Sequence, residues 1–418
     1  MNLSGWLTHL ETLHPEEIEL GLDRVRKVAL ELGLDFRFNT VVSVAGTNGK
    51  GSTSRFLESL LLAAGKSTGL YSSPHLLKYN ERIRINGAYI EDSILCQAFS
   101  RIDKNRKEIT LTYFEYSTLA ALLIFAESEI DYIILEVGLG GRLDAVNIID
   151  ANLAIITNIA LDHIEWLGDT REKIAFEKAG IIRAGRAVIF GEDHMPESLQ
   201  KRIKALHAKL YQYGKDFNSS SSNGIWSWRG ERFDREQCAR LIKTSRISLL
   251  DCFPSNAAMA LQATMLLNID ISEKMIEQGF NKATLPGRFQ VEKRGYTLVL
   301  DVAHNEHAAQ NLSKNIKRYF PNQSIHILIA MSSNKDTQKT LAGLQEIALS
   351  WYVAGLKNRR GVDAEILYNE LEISTHKRVV KFNSVQDAFL EAEKNMQAKD
   401  VLLVTGSFYT VADVLELI

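Results

Sequence analysis

Residues 41–53 read Val41-Val42-Ser43-Val44-Ala45-Gly46-Thr47-Asn48-Gly49-Lys50-Gly51-Ser52-Thr53. The small and β-branched residues at the start predict a buried strand, and the glycines and lysine that follow predict a tight loop. A helical pattern then begins at Ser52-Thr53. A strand, a glycine-rich turn and a helix N-terminus in this order are typical of a phosphate site, because backbone N–H groups and the helix dipole both favour an anion.

In this interpretation Lys50 meets the terminal phosphates of a nucleotide, and Ser52 or Thr53 holds Mg²⁺. The standard phosphate-loop pattern, G-x-x-x-x-G-K-[ST], has Gly at position 44 and Ser or Thr at position 51, whereas this chain has Val44 and Gly51. The alternative is a glycine-rich βα turn that only allows close packing. The lysine and the two hydroxyls favour the nucleotide site.

Composition excludes several classes of protein. The chain has 418 residues, which predicts two domains, and its 45% of apolar residues suffices for substantial cores. Lys+Arg 49 against Asp+Glu 51 leaves a net charge of −2, so no nucleic-acid partner is expected. The widely spaced Cys96, Cys238 and Cys252 indicate free thiols in a reducing cytoplasm. No secretory leader and no 18-residue apolar run is present, so no membrane partner is expected.

Alternating strand and helix patterns predict an α/β fold in two parts. Residues 1–285 are expected to form a P-loop-type ATPase domain with a mostly parallel sheet. Residues 286–418 are expected to form a smaller, Rossmann-like α/β domain, joined at Leu285-Pro286-Gly287-Arg288. Short antiparallel strands are predicted over 211–250, and Asn86-Gly87 predicts a hairpin with a type I′ turn.

Three residues at predicted strand ends are candidate metal ligands. Glu136 ends the apolar strand 132–137, where P-loop proteins place a carboxylate directed at Mg²⁺; the alternative is a salt bridge with Arg142. His163 follows the next strand, although a lone His is more often structural and Mg²⁺ prefers oxygen. Ser73 precedes Pro74, and by itself it is an ordinary turn serine.

Four charged residues have equally open roles. Lys178, in Glu177-Lys178-Ala179-Gly180, is by composition a helix-end lysine that complements the dipole. Arg288, Asp301 and His304 lie at or beyond the predicted joint. They are candidates to complete a nucleotide site, but surface pairing is the default interpretation.

Together the motifs resemble those of the folylpolyglutamate synthase/dihydrofolate synthase family of the Mur-ligase superfamily. This superfamily uses Gly-Thr-Asn-Gly-Lys-Gly-[Ser/Thr], which accounts for the irregular phosphate loop. One departure is Glu306, which stands where the family usually has Pro. The matching segments run in the family's order through most of the chain, and they are Ala45–Ser52, Tyr71–Leu76, Glu81–Ile83, Leu135–Asp144, Leu161–His163, Glu177–Gly180, Leu285–Phe289 and Asp301–Asn305.

The resemblance implies an ATP and Mg²⁺ site, with two ions expected. Ser73, Glu136 and His163 would contact Mg²⁺, which reverses the interpretation of Ser73 and His163 from their positions alone. Lys178 would be carbamylated, because a bare ammonium repels metal ions while a carbamate adds negative charge and acceptor oxygens. The implied catalytic residues are Lys50, Lys178 and His304, and the implied ATP-binding residues are Gly46, Thr47, Asn48, Gly49, Lys50, Gly51, Ser52, Asn256, Arg288 and Asp301.

The resemblance also implies a pocket for 7,8-dihydropteroate and reduced folates. A flat pterin suits aromatic neighbours, and its amino-pyrimidinone edge suits a carboxylate. His304 and Ser407 are candidates for placing L-glutamate, and His304 is also a candidate base. The implied pocket residues are Ile18, Glu19, Leu20, Arg82, Tyr113, Phe114, Glu115, Leu143, Asp144 and Ala145.

The implied activity is an ATP-dependent ligase that adds L-glutamate to dihydropteroate and to reduced folates through an acyl phosphate, in a cytoplasmic monomer. One alternative is a folylpolyglutamate synthase without the dihydrofolate synthase activity. A Mur ligase acting on a cell-wall nucleotide is disfavoured, since no UDP-binding domain precedes residue 41. An ATP-driven switch would hydrolyse ATP regardless of pterin or glutamate.

Overall fold

The computed structural model describes residues 1–222, 224–232, 236–243, 249–333, 335–356 and 361–418. The chain divides into two compact units, Met1–Thr284 and Leu285–Ile418. No helix in these described ranges is long and apolar enough to cross a membrane.

The first unit is built on a mostly parallel sheet. Its described strands follow the order β4-β3-β2-β5-β1-β6-β7-β8, and only the pairs β2/β3 and β3/β4 are antiparallel. Val42 and Val44 of β1 are fully buried, as expected for a central parallel strand covered on both faces. The strands are β1 (Thr40–Ala45), β2 (Thr68–Tyr71), β3 (Ile83–Ile85), β4 (Ala88–Tyr89), β5 (Tyr132–Glu136), β6 (Leu153–Ile156), β7 (Ala187–Phe190) and β8 (Lys209–Gln212).

Helices cover this sheet and carry much of the core. The apolar face of α5 is so extensive that every residue from Glu115 to Phe125 is buried. The α-helices of the unit are α1 (Leu3–Thr12), α2 (Asp23–Glu31), α3 (Lys50–Ala63), α4 (Asp92–Arg106), α5 (Tyr113–Ala126), α6 (Ile164–Leu167), α7 (Arg171–Lys178), α8 (Glu197–Ala205), α9 (Leu249–Cys252), α10 (Pro254–Leu266) and α11 (Glu273–Lys282).

The hairpin prediction is confirmed. Asn86 and Gly87 have φ values of 49° and 81°, and β3 and β4 pair on either side of them. Positive φ at both central residues defines the type I′ turn that Asn-Gly favours.

The antiparallel prediction for residues 211–250 is only partly right. β9 (Asn218–Ser222), β10 (Ile225–Glu231) and β11 (Gln237–Lys243) do form an antiparallel sheet, in the order β11-β10-β9. β8 reaches into the same range but pairs parallel with β7. Short alternating stretches look alike in sequence, so the pairing partner is decided by tertiary contacts. Residues 223, 233–235 and 244–248 of this range lie outside the described residues.

The second unit is a six-stranded sheet among its described residues, in the order β12-β13-β17-β14-β15-β16, parallel except for β12/β13. The expected α/β class with mostly parallel sheets is therefore confirmed. Its elements are β12 (Gln290–Lys293), β13 (Thr297–Leu300), α12 (Glu306–Tyr319), β14 (Ile325–Ile329), α13 (Thr337–Gln345), β15 (Ser350–Ala354), α14 (Ala364–Ser374), β16 (Arg378–Phe382), α15 (Val385–Asn395), β17 (Val401–Thr405) and α16 (Phe408–Leu415).

The unusual residue Glu306 is well placed in this unit. It is the first residue of α12, and the side chain of Asn305 caps the helix by accepting from the N–H of Ala308 at 3.0 Å. An acidic residue in the first turn suits the helix dipole, so the helix begins here without the family's proline.

Candidate active site

Four neighbouring parallel strands end at one edge of the first sheet. In the order β2-β5-β1-β6, their carboxyl ends lead to Ser73, Glu136, the loop at Gly46 and the segment 157–163. Ligands of open α/β sheets bind at such an edge. The topology therefore places these four sequence-predicted segments side by side.

The loop after β1 is fastened by the segment after β6. The N–H groups of Thr47 and Asn48 donate to Asn158, to its carbonyl at 3.0 Å and its Oδ1 at 2.9 Å. Thr157 Oγ1 donates to the Asn48 carbonyl at 2.6 Å, and Thr47 Oγ1 donates to the Ala160 carbonyl at 3.0 Å. Sequence reasoning missed Thr157 and Asn158, although a polar pair directly after a strand was an available signal.

Close contacts explain two of the loop glycines. Gly49 has φ +80°, and a Cβ there would lie 2.2 Å from Nδ2 of Asn256. A Cβ on Gly46 would lie 1.7 Å from Thr157 Oγ1. Asn256 Nδ2 donates to the Gly49 carbonyl at 3.0 Å and to Thr53 Oγ1 at 2.9 Å. Asn256 thus braces the loop from α10, whatever it does for a nucleotide.

The N-terminus of α3 has the features of a phosphate cradle. No side chain of the described residues caps it, and the N–H of Thr53 is bonded to the Gly49 carbonyl, so the first-turn amides are those of Lys50, Gly51 and Ser52. A Cβ on Gly51 would approach Glu136 Oε2 to 3.3 Å. The glycine therefore keeps the helix close to a carboxylate where a standard loop has a hydroxyl. These residues fit a nucleoside triphosphate with a divalent cation.

Two lysines converge on one loop carbonyl. Lys50 Nζ donates to the carbonyls of Gly46 and Thr47 at 3.1 and 3.2 Å, and Lys178 Nζ donates to the Gly46 carbonyl at 2.9 Å. Lys178 is 3% exposed. Burial, together with the nearby charge of Lys50, lowers the pKa of Lys178 from 10.5 to about 7. Lys178 is therefore a buried amine that is neutral in part at physiological pH, not a surface lysine.

Glu136 is buried and faces the turn that carries Ser73. Its Oε2 accepts from the Ser73 N–H at 3.2 Å. Arg142, the alternative partner, instead pairs with Glu177 at 2.9 Å. The carboxylate therefore remains directed at the phosphate edge, as a metal ligand would be.

His163 adopts a left-handed backbone conformation with φ 51°, immediately before α6. Its N–H donates to Oδ1 of Asp162 at 2.9 Å, and its ring is about one-third exposed. The structure thus places His163 in the segment that follows β6, and the end of β6 lies at the same sheet edge as Glu136 at the end of β5. No group of three or more His, Cys, Asp or Glu that could hold a metal ion occurs within the described ranges.

The predicted pterin residues meet around the start of α5. Glu115 is buried and closes a capping box with Thr112. Arg24 donates to Glu115 at 2.9 Å and also pairs with Glu19, which His14 contacts at 2.7 Å. Arg24 was missed from the sequence. It links the segment of Ile18, Glu19 and Leu20 to the helix of Tyr113, Phe114 and Glu115.

Asp144 lies next to the same region. Asp144 stands between Leu143 and Ala145 in the chain, and its side chain is buried. Its carboxylate accepts from the N–H groups of Leu139 and Val146 at 2.8 and 3.0 Å. Burial raises the pKa of Asp144 to about 6. The carboxylate therefore acts first as a structural acceptor for its own loop.

Arg82 is the remaining predicted pocket residue. Its Nε donates to Nδ1 of His75 at 2.8 Å, and its guanidinium lies 5.4 Å from the ring of Tyr79 and 5.5 Å from that of Tyr113. Burial, with the charge of Arg82, lowers the pKa of His75 to about 4. Because Nδ1 accepts, the neutral imidazole carries its proton on Nε2.

The second unit carries the other predicted residues, and two of them, Arg288 and His304, lie beside the Phe408 ring. Asp301 is buried and accepts from the N–H groups of Phe289 and Ala303 at 2.8 and 2.9 Å, and burial raises its pKa. The Arg288 guanidinium lies 4.8 Å from the Phe408 ring, and His304 lies 6.1 Å from it.

The side chains of His304 and Ser407 are held locally. His304 Nδ1 donates to the Val302 carbonyl at 2.8 Å, which leaves the lone pair of a neutral ring on Nε2. Ser407 is buried and caps α16, since its Oγ accepts from the Thr410 N–H at 3.0 Å. Ser407 therefore has a structural task at the strand end where it was predicted to place glutamate.

Comparison with known proteins agrees with this geometry. The family model described as the Mur ligase middle domain matches residues 44–249, and that described as the Mur ligase, glutamate ligase domain matches residues 287–408. A dihydrofolate synthase/folylpolyglutamate synthase of Escherichia coli (strain K12) is 42% identical over 417 residues, covering 100% of this chain and 95% of the relative.

Solved structures give the same result. The E. coli FolC complex with DHPP and ADP is 41% identical with a TM-score of 0.93, covering 100% of this chain and 97% of that one. A bifunctional folylpolyglutamate synthase/dihydrofolate synthase with Mn, AMPPNP and L-glutamate bound is 41% identical with a TM-score of 0.89, covering 100% and 98%. The chain belongs to the dihydrofolate synthase/folylpolyglutamate synthase family of ATP-dependent ligases, and the resemblance inferred from its motifs is confirmed.

Proposed function

We propose that this family member uses ATP to join L-glutamate to 7,8-dihydropteroate and to lengthen the glutamate tail of reduced folates. The observation that carries the proposal is the extent of the similarity. It spans both units of the chain and reaches relatives whose names state both activities. The names of these relatives, at 42% and 41% identity over the whole chain, are what favour two activities over one.

The first step activates a carboxylate, which by itself is a poor acylating agent. A carboxylate oxygen of the pteroyl or γ-glutamyl group attacks the γ-phosphorus of ATP, the bond to the β-phosphate oxygen breaks, and ADP leaves. Lys50 and the first-turn amides of α3 stabilise the charge on the transferring phosphoryl group. Bound Mg²⁺, held by Ser73, Glu136 and His163, would neutralise phosphate charge.

Lys178 is proposed to act as a carbamate. Its neutral amine adds CO₂ and releases one proton, so that an anionic carbamate stands beside Lys50 in place of the amine. The lowered pKa of Lys178 supports this, because only the neutral amine reacts with CO₂. The negative carbamate then pairs with Lys50 and offers oxygen atoms to the metal site.

The second step forms the amide. The neutral α-amine of L-glutamate attacks the acyl carbon, loses a proton, and inorganic phosphate leaves. His304 is the candidate to position the amine and to accept its proton through Nε2. Arg288 and Asp301 are proposed to bind ATP. The residues around α5 are proposed to bind the pterin. A monomeric state and a cytoplasmic location stay predictions.

The test is phosphate release by the purified protein with ATP, Mg²⁺ and each acceptor in turn. Glutamate-dependent release with both dihydropteroate and a reduced folate is expected. A failure with dihydropteroate alone would leave a folylpolyglutamate synthase of single activity. Phosphate release that depends on neither pterin nor glutamate would instead indicate an ATP-driven switch.

A further inference from the structure

Arg82 is a buried cation that has no acidic partner among the residues that the structure describes. The residue is 8% exposed, yet within the described part of the chain its one hydrogen bond runs from Nε to the neutral imidazole of His75. The rings of Tyr79 and Tyr113 flank the guanidinium, which leaves its two terminal nitrogens without an acceptor among the described residues. Arginine cannot shed its proton, and these two nitrogens are not among the fully enclosed polar atoms of the described residues, so an anion from outside can reach them.

Two acids that are neighbours in sequence of Arg82 and of its contact residue Tyr113 are engaged elsewhere. Glu81, the preceding residue, accepts from the N–H groups of Leu76, Leu77 and Lys78 at 2.7, 2.8 and 2.7 Å. Glu115, two residues after Tyr113, pairs with Arg24. The protein therefore satisfies both carboxylates and leaves the guanidinium to a partner from outside.

Arg82 contacts one residue near the phosphate edge and one residue of the pterin region. On one side, His75 follows Ser73 by two residues, and the Ser73 N–H is bonded to Glu136 at the phosphate edge. On the other side, Tyr113 begins α5, next to the Phe114 ring of the pterin region. Arg82 thus contacts His75 near the phosphate edge and Tyr113 in the pterin region, so a substrate that spans the two regions can meet its guanidinium.

We propose that Arg82 binds the substrate carboxylate that is to be phosphorylated. The inference rests on the proposed function and adds the residue that positions the nucleophile. A guanidinium matches a carboxylate with two parallel N–H···O bonds. It also offsets the repulsion between that carboxylate and the triphosphate, and it holds the attacking oxygen in a fixed direction.

The experiment compares two ligands on four proteins. The ligands are dihydropteroate and the same dihydropterin with a plain aniline, which lacks the carboxylate. The proteins are wild type, Arg82→Met, Arg82→Lys and the control Arg101→Met, whose arginine pairs with Glu127 on the surface. Dissociation constants are measured by calorimetry with a non-hydrolysable ATP analogue present, alongside thermal unfolding.

Arg82→Met should weaken dihydropteroate binding by about 30-fold, which is in the range for a charge-assisted hydrogen-bonded pair. The dissociation constant of the analogue without the carboxylate should stay within about twofold of the wild-type value. Arg82→Lys keeps the charge without the fork, and we expect an intermediate, acid-specific loss of about fivefold. Arg101→Met should behave as wild type. The Lys variant provides the same comparison if the Met variant does not fold.

Equal loss of both ligands, or no loss of either, would overturn the inference, because a merely structural arginine does not distinguish the carboxylate. That result differs from a failure of the proposed function. The latter would appear in the wild-type protein as absent glutamate ligation to any pteroyl acceptor, whatever the Arg82 variants do.

Discussion

Lys50 and Lys178 donate hydrogen bonds to the same backbone carbonyl, that of Gly46, at 3.1 and 2.9 Å. Lys178 is almost fully buried, and the ammonium of Lys50 at the same acceptor also repels its charge. The pKa of Lys178 therefore falls to about 7, and the site contains an amine that CO₂ can modify.

Carbamylation of Lys178 should increase with pH. A pKa of about 7 makes the amine mostly protonated at pH 6 and mostly neutral at pH 8, and only the neutral form reacts. At fixed dissolved CO₂ we expect the ¹³C NMR carbamate signal to rise severalfold over this interval.

Lys178→Ala should lack that signal, be inactive and recover part of its activity with added short carboxylates. A fully active enzyme without any carbamate signal would contradict the assignment.

Lys50→Ala should lower kcat for ligation by about 100- to 1000-fold, as expected when one electrostatic contact to a transition state is removed. Lys173→Ala is the matched control, because Lys173 is an exposed lysine paired with Asp169. Steady-state phosphate release measures both variants. Near-normal turnover of Lys50→Ala would remove the phosphate-loop assignment.

Gly49→Ala and Gly65→Ala separate backbone strain from steric contact. Both glycines have positive φ, of 80° and 73°, but a Cβ on Gly65 meets open space while one on Gly49 meets Asn256. Gly65→Ala should lower the free energy of unfolding by about 1 kcal/mol. Gly49→Ala should lower it by about 2–4 kcal/mol and should also weaken ATP binding. Urea denaturation and nucleotide titration measure the two effects. Equal costs would mean that the Asn256 contact is unimportant.

Because of Asp144, the free energy of unfolding should fall as pH rises from about 4 to about 6. Its folded-state pKa of about 6 lies above the ordinary 3.8, so the folded protein holds the proton more tightly than the unfolded chain over this window. Relative to Asp144→Asn, wild type should lose about 2 kcal/mol of unfolding free energy across this window and change little above pH 6. Urea denaturation of both proteins at several pH values measures this, and a pH-independent difference would contradict it.

Short-range features of this protein followed from neighbouring residues. The strand, loop and helix at residues 40–63 were predicted because apolar periodicity and glycine punctuation act over a few positions. The turn at Asn86-Gly87 was predicted for the same reason. The family followed from motifs that are each contiguous in the chain.

Long-range features did not follow, because they depend on which segments the sheet order brings together. Only the structure shows that Asn158 fastens the loop, that Ser407 caps α16 and that Arg142 pairs with Glu177 instead of Glu136. The sequence also left β8 with the antiparallel strands, since its pairing is decided by β7.

The sequence by itself determined that a phosphate loop precedes a helix and that the motifs of one ligase family run through the chain. The tertiary structure decided the charge states of the site. Lys178 is ordinary in its helix, and it becomes a buried amine only because the fold places it against Gly46, 132 residues away. Among the described residues Arg82 likewise has no acidic partner, because folding directs the carboxylates of Glu81 and Glu115 to other donors. Desolvation and Coulomb interactions depend on distance in space, and sequence separation does not report that distance.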